Sequence, residues 1–184
     1  MAHFIQLSMR GVMFVPGQVI LYTNGPNIIS KAIRLIEGNE ITHCSIVLIA
    51  DDVNPICLEI ENASSKVRLV QLLDTLHYSD EIFIATNPTL TIPESLPNSP
   101  QVISYLINKK YSIKALINSL INHLLGFLKP SHKYKEYLTV TNKYTCSSLV
   151  AEVLTLISKY KCNIPSLVEP DDFTQAPWIL TKYK

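Results

Sequence analysis

Ile41-Thr42-His43-Cys44-Ser45-Ile46-Val47-Leu48-Ile49 is rich in β-branched residues, too short for a buried helix, and ends at Ala50-Asp51-Asp52. It reads as an inner strand. The following run, Pro55-Ile56-Cys57-Leu58-Glu59-Ile60-Glu61, alternates, with Cys57, Glu59 and Glu61 on one face and Ile56, Leu58 and Ile60 on the other. A tight hairpin turning at Asp51 sets His43 opposite Glu59, whereas a turn moved toward Asn54-Pro55 slides the pairing to Glu61 or beyond. Glu59 is therefore the preferred partner of His43 and Glu61 the reserve. A carboxylate beside an imidazole raises the histidine pKa and fixes its tautomer. A solvent-facing hairpin edge with ordinary charges would account for the same residues more blandly.

Further strand signals lie at Val12 to Val15, Gln18 to Tyr22, Lys66 to Val70 and Ile82 to Thr86, with a short helix near Asn27 to Ile36. Helical signals dominate afterwards. The expected fold class is α+β, an antiparallel sheet or small barrel packed against helices. Pro88, Pro93, Pro97 and Pro100, with Asn98 and Ser99, mark the clearest linker. It is read as joining two halves of one domain spanning 1–184, because neither half carries both the candidate thiol and the candidate imidazole. With 184 residues and 47% hydrophobic content, the chain can bury a substantial core.

The candidate thiol is Cys146. Thr145 reads as an N-cap, and Leu149, Val150, Val153, Leu154 and Ile157 follow at helical spacing. Cys146 then occupies the first turn, where unpaired N–H groups and the helix dipole favour thiolate over thiol and can hold a developing oxyanion. The residue also lies on the stripe it shares with Leu149, Val150 and Val153. Free cysteine is among the most buried residue types, so without partners packing is the stronger reading.

A net charge of +1 gives no overall drive toward nucleic acid. The N-terminal residues lack the basic and long apolar regions of a secretory signal, which points to a cytoplasmic protein. The four cysteines, Cys44, Cys57, Cys146 and Cys162, form no CxxC pair or zinc-like spacing and read as reduced thiols. No metal or cofactor is expected, since His77, His123 and His132 have no local ligand spacing.

Ser112 to Leu128 carries a broad apolar face made by Ile113, Leu116, Ile117, Leu120, Ile121, Leu124 and Leu125. Packing over the core is its leading reading and an acyl-binding surface the sharper one. It is too short and too polar on one side to span a bilayer, so no transmembrane segment is expected. Lys129 to Tyr137 forms a basic, aromatic loop, read as a solvated connection rather than a wall of a cleft.

Several landmarks occur in an order that resembles a known family. They are Pro16-Gly17-Gln18-Val19-Ile20-Leu21-Tyr22, Ser30-Lys31-Ala32-Ile33-Arg34, Thr42-His43-Cys44-Ser45-Ile46-Val47, Val67-Arg68-Leu69-Val70, Lys110-Tyr111, Tyr144-Thr145-Cys146-Ser147-Ser148-Leu149-Val150 and Pro170-Asp171-Asp172-Phe173. Together they resemble the circularly permuted NlpC-type papain-fold hydrolases, the YiiX/YycO-like group with poxvirus relatives. Gln18 stands where that group usually has an acidic residue. The resemblance implies Cys146 as nucleophile, His43 as general base and then acid, and Glu59 as the residue that orients His43. Three function classes follow: a hydrolase of amide, ester or thioester bonds, a lipid-directed enzyme of the lecithin:retinol acyltransferase type, and a silent binding module. The expected partner is a peptide-like or acyl-bearing substrate, peptidoglycan-derived or lipid.

Overall fold

β2 (Ile41–Ile49) lies inside a six-stranded antiparallel sheet with β1 (Val19–Thr23), β3 (Ile56–Ile60), β4 (Val67–Gln71), β5 (Ile82–Thr86) and β8 (Ile179–Lys182), in the order β4-β3-β2-β1-β5-β8. The computed structural model describes residues 13–23, 31, 34, 40–60, 66–92, 100–107, 110–111, 143–158, 160 and 168–184. The protein is α+β. Its described helices are α1 (Leu72–Thr75), α2 (Pro100–Ile107) and α3 (Cys146–Ile157), and a two-residue parallel pair joins β6 (Lys110–Tyr111) to β7 (Lys143–Tyr144).

Both faces of the sheet are covered, which is why β2 is a continuous apolar run rather than an alternating one. On one face Val19, Leu21, Cys44, Ile46, Leu48, Leu58 and Ile60 meet Leu149, Val150, Val153, Leu154 and Ile157 of α3. On the other, Ile20, Tyr22, Val47, Cys57, Ile82 and Ile84 pack with Phe14, Leu72 and Tyr183. Each of those five α3 side chains is fully buried, and burying one aliphatic side chain is worth about 1.5–3 kcal/mol as an upper estimate. The apolar stripe therefore fixes the whole helix, and with it Cys146, against β2.

Two local devices shape the strand ends. Tyr22 pairs with His43 but Thr23 pairs with Ile41, so Thr42 is an extra residue in a β-bulge. The bulge changes the alternation, letting Ile41 join the Cys44 face while His43 stays beside Tyr22. At the start of β1, Gly17 adopts φ +86, a left-handed conformation that suits glycine.

Three expectations need correction. Met13 to Val15 form no strand: Val15 N–H is bonded to the Gln18 side chain at 3.0 Å, and the Pro16-Gly17 turn follows at once. Val12 lies outside the described residues, as do the bulk of the Asn27 to Ile36 helix and all of Ser112 to Leu128 and Lys129 to Tyr137. Helical signals dominate the C-terminal half of the sequence, and they do not include β8, which adds an edge strand against β5. The β2–β3 turn is also wider than a tight hairpin, because the Asp51 carboxylate accepts from Val53 N–H at 2.9 Å and Asn54 N–H at 2.7 Å.

The residues after α3 fold back onto it. A 3-10 turn at Pro170–Thr174 buries Phe173, whose ring meets Trp178 edge-on at 5.2 Å. Ser147 Oγ donates to the Val168 carbonyl at 2.6 Å and ties this segment to the first turn of the helix. No helix among the described residues is long and apolar enough to cross a membrane.

Candidate active site

α3 begins at Cys146 because Thr145, in an extended conformation, closes a capping box with Ser148. Ser148 N–H bonds Thr145 Oγ1 at 3.3 Å, and Thr145 N–H bonds Ser148 Oγ at 2.8 Å. Cys146 is thus the first helical residue. Its amide and that of Ser147 belong to the turn in which a helix offers N–H groups outward.

The sulfur of Cys146 interacts with two consecutive residues of β2. The Cys44 side chain and backbone N–H and the His43 imidazole are the groups that lower its pKa. Strand alternation sends Cys44 and His43 to different faces, so contact with both places the start of α3 at the bulged end of β2.

His43 Nε2 lies 3.2 Å from Glu59 Oε2. Nδ1 is the ring nitrogen that remains for Cys146. The register pairs Ile46 with Leu58 and Val47 with Cys57, and one step further it sets Ser45, not His43, across from Glu59. Glu59 is therefore a diagonal neighbour of His43 on the same face, within reach of a long side chain. Glu61 lies outside the described residues. Tyr22 flanks the imidazole at 5.3 Å between ring centroids, and its hydroxyl is held by Ser45 at 3.1 Å and Thr75 at 3.0 Å.

One residue escaped the sequence reading. Arg68 stands directly across from Glu59 in the β3–β4 ladder and places Nε at 2.8 Å and a terminal nitrogen at 2.6 Å from Glu59 Oε1. Glu59 has 0% side-chain exposure, His43 20% and Arg68 34%. The sequence offers only an arginine on the strand after the one that carries Glu59, and the β3–β4 register is what gives it a partner.

The electrostatics separate the cysteines. A hydrogen bond from Cys44 and then the His43 imidazole, working against burial, hold Cys146 well below the usual thiol range. Burial drives Cys44 well up, and drives Cys57 to about 12. For His43 burial favours the neutral ring, but hydrogen bonds to Cys146 and Glu59 overcome it and push the pKa up to about 10. Burial also opposes ionisation of Glu59, and His43 and Arg68 outweigh it to keep the carboxyl below its ordinary value. These directions favour thiolate with imidazolium as the resting pair.

A stability profile follows from these directions. The imidazolium contribution is complete below pH 6.5, the ordinary histidine value, and is lost as pH rises through about 10. The thiolate contribution is complete above 9.0, the ordinary cysteine value, and is lost as pH falls through the depressed value. Between these ordinary values the unfolded chain holds one proton on cysteine and the folded chain holds one on histidine, so the pair adds no pH slope. Urea unfolding of the parent and of a Cys146→Ala, His43→Ala double variant should differ by a constant amount from about pH 6.5 to 9, with the difference shrinking above that range. A steady slope across the range would contradict the ion pair.

His77 lies in the 3-10 turn at Leu76–Tyr78, while His123, His132 and Cys162 fall outside the described residues. Among the described residues no group of three or more His, Cys, Asp or Glu side chains gathers to hold a metal. A cavity of about 280 Å³ lined by Val15, Gly17, Gln18, Thr86, Leu90 and Ile92 contains no member of the Cys146, His43 and Glu59 set. Gln18 has a structural task there, donating to Thr86 Oγ1 at 3.0 Å. A scan against family models gives no match, and a search of the curated proteins gives none either.

Proposed function

We propose that the protein is a cysteine hydrolase of permuted papain-like, NlpC-type architecture, acting on an amide, ester or thioester through an acyl-cysteine intermediate. The observation that carries this reading is the contact of Cys146, first residue of a capped helix, with an imidazole whose other nitrogen is held by a buried carboxylate. The order of histidine strand before cysteine helix is what a circular permutation of a papain-like fold gives.

Each group has a defined task. The Cys146 thiolate attacks the acyl carbon, and N–H groups of the first turn of α3 face the developing oxyanion. His43, as imidazolium, donates its proton to the leaving group and becomes neutral. A water then gives a proton to His43 as it attacks the acyl-cysteine, and the carboxylic acid product leaves with the thiolate restored. Glu59 holds the ring direction throughout and does not itself take the proton.

Reactivity tests the assignment before any substrate is known. Treating the intact protein with a panel of electrophilic thiol probes and locating the adducts by mass spectrometry should show Cys146 modified first and Cys44 and Cys57 spared. Adducts on Cys44, Cys57 or Cys162 with Cys146 untouched would remove the nucleophile from the reading.

A further inference from the structure

Two anions and one imidazolium cannot share a buried site cheaply. With Cys146 as thiolate and Glu59 as carboxylate, His43 supplies only one balancing charge, and Glu59 is sealed from water. The second cation is Arg68.

We infer that Arg68 is a positioning residue that completes the charge balance of the site, letting the Glu59 carboxylate and the Cys146 thiolate coexist around a single imidazolium. Its role in catalysis rests on the proposed triad. Three observations carry it. Arg68 is built opposite Glu59 by the β3–β4 register, so the contact belongs to the sheet and not to a chance surface rotamer. Two of its nitrogens converge on Oε1, while Oε2 meets His43. The carboxylate is thereby turned with one oxygen reserved for the imidazole. Glu59 also has no exposure to solvent that could replace the guanidinium as its screen.

The balance matters most when His43 is neutral. After the imidazolium has given its proton to the leaving group, Glu59 would be a buried carboxylate facing an uncharged ring, and it would draw a proton out of the cycle. The Arg68 charge is permanent and keeps the carboxylate ionised in both states of His43. The remaining titratable neighbours cannot substitute for it. Tyr22 of β1 and Cys57 of β3 are held neutral by burial, and Cys44 of β2 is a neutral donor to Cys146.

Arg68→Met keeps the aliphatic stem and removes the charge. The variant must retain a proton, on Glu59 or on Cys146, at pH values where the parent has lost it. The acid limb of iodoacetamide labelling at Cys146 should therefore move up by about one pH unit or more, a tenfold loss of thiolate at fixed pH on that limb. Carbon NMR of the Glu59 carboxyl should report an upward shift in its own titration. Arg68→Lys should recover much of the parent profile. In the Glu59→Gln, Arg68→Met double variant one anion and one cation leave together, so the labelling limb should return toward that of the parent. A merely structural Arg68 would lower the melting temperature and move neither titration.

The proposal is overturned if folded Arg68→Met shows an unmoved Glu59 titration and an unmoved labelling limb, or if the double variant stays as shifted as the single. If Arg68→Met does not fold, the double variant and Arg68→Lys decide: a double variant with a strongly raised limb, or a Lys variant whose Glu59 titration and labelling limb are both raised by about one pH unit or more, overturns it. Should Cys146 prove unreactive in the parent, the nucleophile assignment falls. The Glu59 titration then still decides whether Arg68 holds that carboxylate ionised.

Discussion

In a His43→Ala variant, the alkylation rate of Cys146 should rise about tenfold per pH unit between pH 6 and 8, where the parent is nearly flat. The slope is the informative quantity, because a thiolate loses intrinsic nucleophilicity as its pKa falls and absolute rates at one pH partly cancel. In the parent, the Cys44 hydrogen bond and the His43 imidazole hold Cys146 well below the usual thiol range, so raising the pH recruits less further thiolate than it does from an unshifted thiol. Without His43 the sulfur keeps only the neutral Cys44 donors against the burial that favours thiol. On the proposed hydrolase mechanism, turnover of an acyl substrate should fall by on the order of 10³-fold or more, since the leaving group also loses its proton donor. A flat labelling profile in His43→Ala would refute the imidazolium as counter-charge and locate the thiolate's support in the Cys44 hydrogen bonds.

The strand carrying His43 was readable because both faces of β2 are buried, leaving a β-branched run with no helical period. The helix carrying Cys146 was readable because its cap and its apolar stripe agree on the same start. β8 left no comparable trace: Ile179, Leu180, Thr181 and Lys182 are all exposed, so neither burial nor alternation marks them as a strand. Met13 to Val15 misled for the opposite reason. Their apolar composition suits a strand, yet Gln18 takes the Val15 N–H that a ladder would need.

The site was legible in residue types but not in register. Glu59 is the carboxylate on His43, though a tight hairpin was the wrong reason for choosing it. Asp51 captures two backbone N–H groups and widens the turn, and the long glutamate then spans the diagonal to the imidazole. Arg68 stayed hidden because its meaning depends on the β3–β4 register, which brings it across from Glu59. A single arginine among Val67, Leu69 and Val70 looks like an ordinary edge charge until that pairing is known. The likeness in landmarks to permuted papain-like hydrolases drew attention to the thiol and the imidazole, and although Arg68 lies within one of those landmarks it implied no role for it.

Phe173→Ala should give the largest loss of stability among substitutions outside the charged site. The ring is fully buried at the junction of the sheet, α3 and Trp178, and its removal leaves a cavity the size of a phenyl ring in that core. A buried Phe→Ala change costs about 3–5 kcal/mol, equivalent in a chain of this size to roughly 6–20 °C in melting temperature. The loss should be transmitted unequally. His43 and Glu59 stand on β2 and β3 and keep their contact without Phe173. The Val168 carbonyl that receives the Ser147 hydroxyl belongs to the weakened segment, so the first turn of α3 loses part of its anchor. At a temperature where the variant remains folded, Cys146 should still be the preferred thiol, while amide hydrogen exchange should quicken for residues 168–178 and the start of α3 and stay slow across β2. A melting temperature within about 2 °C of the parent would show that Phe173 does not support the core. A uniform rise in exchange across β2 and α3 would instead show that the segment and the sheet open as one unit, leaving the site no independent stability.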